Sequence, residues 1–250
     1  MARTNKGSLS IVVLAAGKGK RMKSSLPKVL HTILEKPLLT YVLDAAFLMD
    51  PERVVVVVGH MAEKVEKVFA VCPAEFVRQE EQLGTAHAVS QSESLLGKSK
   101  GDILILSGDV PMIRKETLER LFQFHLETKK TVSFLSAEIP DPTGYGRVVR
   151  DSSGQVSAVI EEKDASPEVK IISEINTGIY CVKAPFLFGA LKRITNDNEQ
   201  QEYYLTDIVK YAFKTGESLG AVKAEFPDQL RGVNTREELL EMEKLFASNG

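Results

Sequence analysis

The chain has 250 residues, of which 43% are hydrophobic and 26% are charged, so it can bury a substantial core as one large domain or two small ones. Its net charge of −2 gives no strong field toward nucleic acid or an acidic membrane, and no apolar run approaches the roughly 20 residues that span a bilayer. Cys72 and Cys181 lie far apart in apolar segments, which is typical of reduced thiols in a cytoplasmic protein and not of a disulfide framework.

The first predicted strand covers residues 11–16 and leads directly into a glycine-rich, basic loop. Gly17 and Gly19 leave the backbone open to close approach, and Lys18, Lys20, Arg21 and Lys23 surround them with positive charge. Successive N–H groups in such a turn form an anion-binding concavity, for which a polyphosphate is the natural ligand. The alternative is an ordinary strand-to-helix turn with a solvated basic edge.

This loop matches neither of the two common phosphate-binding motifs. The Walker pattern and the dinucleotide pattern both require a further glycine at the position that Met22 occupies. An ATPase of the Walker type and an NAD-dependent oxidoreductase are therefore disfavoured.

Strand-like and helix-like segments alternate through the first half of the chain. Residues 54–58 and 103–106 are apolar runs typical of strands buried on both faces. The spacing predicts helices over residues 37–47 (with Pro37 in the first turn), 61–69, 85–96 and 115–126. This alternation predicts an α/β fold with a mostly parallel central sheet and helices on both faces. The Gly17 loop and Asp109 both directly follow a strand, so we expect them at one rim of the sheet, where ligands bind.

The pattern becomes mixed after Thr131. Residues 151–154 (D-S-S-G) lie between two strand-like segments, 147–150 and 155–161, and predict a hairpin, and 174–182 predicts a further strand. Thr235 and Glu238 have the spacing of a capping box that begins a last helix, with Leu239, Met242 and Phe246 on one side. This half is expected to form a second wall of the cleft.

A series of motifs gives the chain a family resemblance. The segment 14–22 reads L-A-A-G-K-G-K-R-M and is followed by L-P-K-V-L; later come R-Q-E-E-Q-L-G-T-A-H-A (78–88), S-G-D-V-P (107–111), D-P-T-G-Y-G-R (141–147), I-E-E-K-D-A (160–165), E-I-N-T-G-I (174–179), E-Y-Y-L-T-D (202–207) and G-V-N-T-R (232–236). In this order they closely resemble, over residues 9–243, the uridylyltransferase domain of bacterial bifunctional N-acetylglucosamine-1-phosphate uridylyltransferases.

The resemblance implies a Rossmann-like nucleotide-diphospho-sugar transferase fold with a smaller mixed β part that binds sugar. We therefore expect one uridylyltransferase domain over residues 1–250, with a nucleotide-binding half (1–130) and a sugar-binding half (131–232). Because no hexapeptide repeat is present, no C-terminal left-handed β-helix acetyltransferase domain is expected. That β-helix is what makes the family trimeric, so a cytoplasmic monomer or weak homo-oligomer is expected.

Nucleotidyl transfer needs positioning and neutralisation of charge. The resemblance implies that Arg21, Lys28 and Asp109 are catalytic, and that Asp109 and Asn234 bind the cofactor, Mg²⁺. Oxygen donors suit that ion, which usually takes only one or two ligands from protein. Lys28 could instead be an ordinary surface lysine, and Asp109 could cap the helix that follows it.

The nucleotide site implied by the resemblance is a set of small or polar residues at the rim. Gln79 is expected to select the base, since a carboxamide offers both a donor and an acceptor to a uracil edge, although a loop glutamine is more often only solvated. The full set is Leu14, Ala15, Ala16, Gly17, Gly19, Gln79, Gly84, Thr85, Ser107 and Gly108.

The sugar site implied by the resemblance uses four residues: Gly146, Glu161, Asn176 and Asn234. Glu161 could instead belong to a solvated run of charge. Tyr203, Tyr204 and Thr206 are expected to line or support this pocket. Two positions depart from the usual family pattern, since Ser107 replaces a tyrosine and Ala86 a glycine; both are small, so the site should remain open.

The predicted function is formation of UDP-N-acetylglucosamine and pyrophosphate from UTP and N-acetylglucosamine 1-phosphate. The same chemistry on another sugar phosphate, such as glucose 1-phosphate, or a cytidylyltransferase of an alditol phosphate, is the nearest alternative. A glycosyltransferase would usually show an Asp-x-Asp pair, whereas Val110 and Pro111 follow Asp109. A non-catalytic module that binds a nucleotide sugar would have no need to neutralise a triphosphate.

Overall fold

A computed structural model describes residues 8–248, so residues 1–7 and 249–250 of the predicted domain lie outside it. The strands are β1 Leu9–Ala15, β2 Thr32–Ile33, β3 Lys36–Pro37, β4 Arg53–Val58, β5 Glu75–Arg78, β6 Asp102–Ser107, β7 Val132–Glu138, β8 Arg147–Arg150, β9 Val156–Ile160, β10 Glu174–Lys183 and β11 Leu219–Lys223. The α-helices are α1 Leu38–Phe47, α2 Ala62–Val68, α3 Thr85–Ser90, α4 Glu93–Leu96, α5 Lys115–Glu127, α6 Pro167–Lys170, α7 Ala184–Leu191, α8 Asp207–Lys214 and α9 Arg236–Ser248.

The central sheet has the strand order β11-β7-β10-β6-β1-β4-β5, with β8 joined to β10 and β9 joined to β8. β1 pairs in parallel with both β4 and β6, which are the two apolar runs predicted as buried strands. Val55 to Val58 of β4 have no exposed surface, and each such side chain contributes roughly 1.5–3 kcal/mol by its burial.

Helices cover both faces of the sheet. Along β1, Ile11 and Val13 point into a core formed with α1, α2 and α5, whereas Val12 points into a core formed with α3, α4, α7 and α8. This alternation follows from the two-residue period of a strand and explains why its sequence is continuously apolar. The predicted α/β class, with a largely parallel sheet between two helical layers, is confirmed.

Two helix predictions differ from the structure in detail. Pro37 precedes α1 as the last residue of β3 and does not lie in the first helical turn. The helix predicted over residues 85–96 is two helices, α3 and α4. Ser92 lies between them, is fully buried and donates its hydroxyl to the carbonyl oxygen of Val89 at 2.7 Å. Such a local bond competes with the helical ladder, which explains the break.

The second half is organised by β10, which is antiparallel to β6 and β7 along the central sheet and also to β8. Its register shifts between Asn176 and Tyr180, where Gly178 has φ +79°. The predicted hairpin is confirmed as β8 and β9. No helix within residues 8–248 is long and apolar enough to cross a membrane.

The predicted start of the last helix is confirmed with reciprocal bonds. The backbone N–H of Glu238 donates to Oγ1 of Thr235 at 3.1 Å, and the backbone N–H of Thr235 donates to Oε2 of Glu238 at 3.2 Å. α9 then packs Met242 and Phe246 against β2 and the start of α1. The capping box therefore fixes where α9 begins, directly after the segment that reaches the rim of the sheet.

Candidate active site

The glycine-rich loop follows β1 at the rim and is packed against the segment that contains Lys28. Gly19 has φ +56°, and a β-carbon built on it would lie 2.8 Å from Cβ of Lys28. Any other residue would therefore both strain the backbone and displace Lys28. The loop closes with a bond from the Met22 backbone N–H to the Gly19 carbonyl oxygen (2.9 Å), and the Met22 side chain is buried beneath it.

Four predicted residues meet beside this loop. The Lys28 ammonium contacts the Asp109 carboxylate and lies 2.7 Å from Oδ1 of Asn234. Arg21 donates to the same Asn234 oxygen at 3.0 Å. A backbone bond from Val233 N–H to the Asp109 carbonyl oxygen (2.9 Å) brings Asn234 to the end of β6. Lys28 is therefore not an isolated surface lysine. Asp109 pairs with it, and α5 begins only at Lys115, so Asp109 does not cap that helix.

The Asp109 and Asn234 side chains suit a divalent cation. Both direct an oxygen at one point, and the Lys28 ammonium already holds a positive charge there. Within residues 8–248 no group of three or more His, Cys, Asp or Glu side chains could hold a metal ion. A site of one carboxylate and one amide oxygen, completed by water and phosphates, is nevertheless what Mg²⁺ commonly uses.

An open cavity of about 480 Å³ extends from the loop along the rim. Its lining includes most of the predicted nucleotide set, namely Leu14, Ala15, Ala16, Gly17, Gly19, Gln79, Gly84, Thr85 and Ser107, together with Lys28 and Asp109. Gly108 does not line it; its N–H donates to the Leu14 carbonyl oxygen at 2.9 Å, so it ties β6 to β1 behind the cavity. Glu202 also lines the cavity and was not predicted, although it opens the E-Y-Y-L-T-D motif.

The orientation of the Gln79 carboxamide follows from its partners. Nε2 lies 3.0 Å from the carbonyl oxygen of Gly84 and 3.0 Å from Nδ1 of His87. A carbonyl oxygen only accepts, so the group that faces it must be the NH₂. The NH₂ group is thus turned toward protein atoms, and the side-chain oxygen is the atom that remains for a ligand in the cavity. The His87 ring therefore helps to orient Gln79.

Gly84, directly before α3, lies against the backbone of Tyr203. It has φ +112°, and a β-carbon there would lie 2.6 Å from the Tyr203 carbonyl oxygen. We expect Gly84→Ala to raise the KM for the nucleotide at least about tenfold and to lower stability by about 1–3 kcal/mol, because the loop must shift. Steady-state kinetics and thermal unfolding measure both effects.

Gly189→Ala is the matched control for this prediction. Gly189 lies in α7, has no positive φ, and a β-carbon added to it would meet no other atom within 4 Å. Its replacement should leave the KM unchanged and add up to about 1 kcal/mol of stability. An unchanged KM in Gly84→Ala would show that the close approach to Tyr203 does not shape the nucleotide site.

Three of the four predicted sugar-binding residues lie together: Gly146 directly before β8, Glu161 directly after β9, and Asn176 on β10. The Asn176 backbone N–H donates to the Gly146 carbonyl oxygen at 2.8 Å, and a β-carbon on Gly146 would lie 3.5 Å from Oε2 of Glu161. Thr206 donates its hydroxyl to Oε1 of Glu161 at 3.0 Å. The fourth residue, Asn234, lies apart from these three, in the cluster around Lys28.

The Glu161 carboxyl is in an unusual environment for a charged group. Burial raises its pKa, and the neighbouring carboxylates of Asp164, Asp207 and Glu202 raise it further, against the hydrogen bond from Thr206. It lines a second cavity, of about 380 Å³, together with Asp164, Tyr204 and Asp207. Glu161 is thus set apart from the solvated run that follows it.

Tyr145 was not among the predicted site residues. Burial raises the pKa of its hydroxyl, the charges of Glu238 and Asp109 raise it further, and Arg231 and Arg21 lower it. The tyrosine therefore lies within the field of the Asp109 cluster although it belongs to the second half of the chain. Its position next to Gly146 in the motif at 141–147 was the signal available in the sequence.

Comparison with known proteins gives one family match. The chain matches the family model described as "Nucleotidyl transferase" over residues 10–227. It is 48% identical over 235 residues to a protein called "Bifunctional protein GlmU" from Lactobacillus delbrueckii subsp. bulgaricus, and 48% identical over 236 residues to one from Pelotomaculum thermopropionicum. In each case 94% of this chain aligns with 51% of the relative, so the chain spans about half the length of these curated relatives.

A solved structure shares the fold. The crystal structure of UDP-glucose pyrophosphorylase complexed with UDP-glucose superposes with a TM-score of 0.77, covering 96% of this chain and 99% of that one. The identity is 17%, so this likeness concerns the arrangement of the backbone.

Proposed function

Because the chain belongs to the nucleotidyl transferase family, we propose that it transfers the uridylyl group of UTP to N-acetylglucosamine 1-phosphate. The observation that carries the proposal is the convergence of Arg21, Lys28, Asp109 and Asn234 beside the glycine-rich loop and its cavity. The motifs that resemble those of bacterial N-acetylglucosamine-1-phosphate uridylyltransferases suggest the substrates, and the orientation of Gln79 supports the choice of uracil.

The chemistry asks the protein to bring two anions together. A phosphate oxygen of the sugar phosphate attacks the α-phosphorus of UTP, the bond to the bridging oxygen breaks, and pyrophosphate leaves in line. No covalent bond to the protein forms. The loop N–H groups and Arg21 hold the β- and γ-phosphates, and Lys28 reaches the α-phosphate and the incoming phosphate. Such positioning and neutralisation account for most catalysis of this type.

Asp109 and Asn234 would hold Mg²⁺. When bound, the ion supplies Lewis-acid stabilisation of phosphate charge. Lys28 is adjacent to both Asp109 and Asn234. The Lys28 ammonium and an ion bound by those two residues would therefore place two positive charges at the phosphates. Charge neutralisation at this end of the cavity is therefore concentrated in four side chains.

The orientation of Gln79 favours uracil over cytosine. Its free side-chain oxygen is an acceptor, and N3 of uracil carries a hydrogen that can be donated to it. N3 of cytosine carries no hydrogen and would face that oxygen with a lone pair. This argument weighs against the cytidylyltransferase alternative.

Gly146, Glu161 and Asn176 form the proposed sugar site, where the Glu161 carboxylate accepts hydrogen bonds from sugar hydroxyl groups.

The proposal includes the division of the chain into a nucleotide-binding half (1–130) and a sugar-binding half (131–232). It also includes a cytoplasmic location and a monomer or weak homo-oligomer. Burial raises the pKa of the Cys181 thiol, in keeping with an unreactive core cysteine.

The function is tested by pyrophosphate release from UTP and Mg²⁺ with N-acetylglucosamine 1-phosphate, beside glucose 1-phosphate and beside CTP. We expect release with the acetylated sugar and UTP, and at least about a hundredfold less with CTP. Release with glucose 1-phosphate alone would keep the chemistry and overturn the sugar assignment. No release with any pair, together with tight binding of a nucleotide sugar, would identify a binding module.

The raised pKa of Glu161 predicts a pH dependence of sugar binding. Above this pKa the carboxylate is ionised and accepts hydroxyl hydrogens, and as the pH falls through it the group is protonated and that binding weakens. We expect Glu161→Gln, which keeps the acceptor for Thr206, to raise the KM for the sugar phosphate about tenfold at pH 8. The ratio of variant to wild-type KM should shrink as the pH is lowered.

The same raised pKa predicts how the folding stability of the Glu161→Gln variant, relative to wild type, depends on pH. Since the folded pKa lies above the unfolded value, ionising Glu161 costs stability as the pH rises. Glu161→Gln removes that cost, so its stability relative to wild type should increase with pH, as measured by urea unfolding. A KM ratio that does not vary with pH would show that the Glu161 carboxylate does not bind the sugar.

A further inference from the structure

The start of α9 contacts the glycine-rich loop at two successive carbonyl groups. Nε of Arg236 donates to the Met22 carbonyl oxygen at 3.1 Å, and its NH2 donates to the Lys23 carbonyl oxygen at 3.1 Å. These carbonyls directly follow Arg21, and Lys23 has φ +47°, a conformation that residues with a β-carbon rarely adopt. The planar fork of one guanidinium thus holds the loop where its backbone is strained.

Arg236 lies at a position where a cation is otherwise unfavourable. It is the first residue of α9, where the helix dipole favours acidic side chains, and Glu237 and Glu238 follow it there. Arg236 is exposed and belongs to none of the buried core clusters, so it adds little to the core. The two bonds to the loop are therefore the main contacts that offset its position.

The same segment holds Arg21 from its other end. Asn234, two residues before Arg236, accepts a hydrogen bond from the Arg21 guanidinium at 3.0 Å. We propose that Arg236 is a positioning residue that fixes the loop backbone after Arg21 and so aims Arg21 at the leaving phosphates. The proposal rests on the proposed function, because Arg236 acts through Arg21 and does not itself touch substrate.

The alternative is that Arg236 acts only through its positive charge. Arg236→Lys separates the two, because a lysine keeps the charge but its single nitrogen cannot reproduce the planar, two-pronged contact with both carbonyls. We expect Arg236→Ala to lower kcat/KM for UTP about tenfold and Arg236→Lys to lower it at least about threefold. The variant Arg53→Ala is the control, since Arg53 is also exposed, pairs with Glu75 and donates to a backbone carbonyl.

A double mutant tests whether Arg236 acts through Arg21. If it does, Arg21→Ala/Arg236→Ala should be no less active than Arg21→Ala alone, whereas two independent contributions would multiply. Amide hydrogen exchange of the segment 18–26 should also be at least about tenfold faster in Arg236→Ala, with the exchange of β4 and the melting temperature unchanged. That readout requires no activity.

The outcomes separate this proposal from the proposed function. If the wild type is active, three results would each overturn the positioning role. They are wild-type activity in Arg236→Lys, multiplicative effects in the double mutant, and unchanged hydrogen exchange of the loop in Arg236→Ala. If the wild type is inactive but the loop exchanges faster in Arg236→Ala, Arg236 does hold the loop backbone and the proposed function is wrong.

Discussion

Replacing Asp109 with alanine is expected to lower kcat at least about a thousandfold, which is the largest effect we predict. Asp109 provides the only carboxylate among the four side chains that converge beside the loop, and metal assistance in such reactions supplies several kcal/mol of stabilisation. Each 1.4 kcal/mol corresponds to a tenfold change in rate. Pyrophosphate release at saturating substrates and millimolar Mg²⁺ measures the loss.

The control for this prediction is Asp44→Ala. Asp44 is an exposed carboxylate on α1 that pairs with Lys36 at 2.5 Å, away from the site residues. Its replacement should leave kcat unchanged. Circular dichroism must show that Asp109→Ala is folded, as expected for a partly exposed residue outside the regular strands and helices. More than a tenth of wild-type activity in that folded variant would contradict a metal-binding role for Asp109.

Lys28→Met is expected to change two measurements in opposite directions. Loss of the ammonium that is proposed to neutralise the reacting phosphates should lower kcat about a hundredfold to a thousandfold. In the absence of nucleotide, however, the variant should bind Mn²⁺ at least about tenfold more tightly. The ammonium contacts both Asp109 and Asn234, and two cations about 4 Å apart repel by about 4 kcal/mol at an effective dielectric constant near 20.

Mn²⁺ binding can be followed by electron paramagnetic resonance with no substrate present, which keeps it independent of turnover. Lys36→Met, which removes the exposed partner of Asp44, is the matched control and should affect neither measurement. Equal or weaker binding of Mn²⁺ by Lys28→Met would show that the two oxygens near Lys28 do not form the metal site.

The fold was predictable because its signals are local. A run of valines can be read as a strand buried on both faces, and alternation with amphipathic helices then determines the layers and the rim on which the loops meet. The break at Ser92 was not predictable, because a buried serine can turn its hydroxyl to the backbone or leave it to a neighbour. That choice depends on what packs around it.

The candidate site was predictable to a different degree in its different parts. Residue types and order indicated a phosphate loop and a carboxylate after β6, and the resemblance added Asn234, which is 125 positions beyond Asp109 in the sequence. The contact of Arg236 with the loop carbonyls spans more than two hundred residues and involves backbone atoms, which leave no mark on side-chain pattern. The pKa of Glu161 likewise depends on groups that the fold brings to it from other segments, namely Thr206 and the acidic residues around it.

The placement of β10 has a consequence for how the chain can be divided. This strand comes from the second half but pairs with β6 of the first half and with β7 of the second half. Cleavage between residues 130 and 131 would expose a long apolar edge on each fragment, and such edges aggregate unless they are paired. The two fragments should therefore be insoluble when expressed singly and recover activity when expressed together, so that the protein could serve as a split reporter whose signal requires the joining of two pieces.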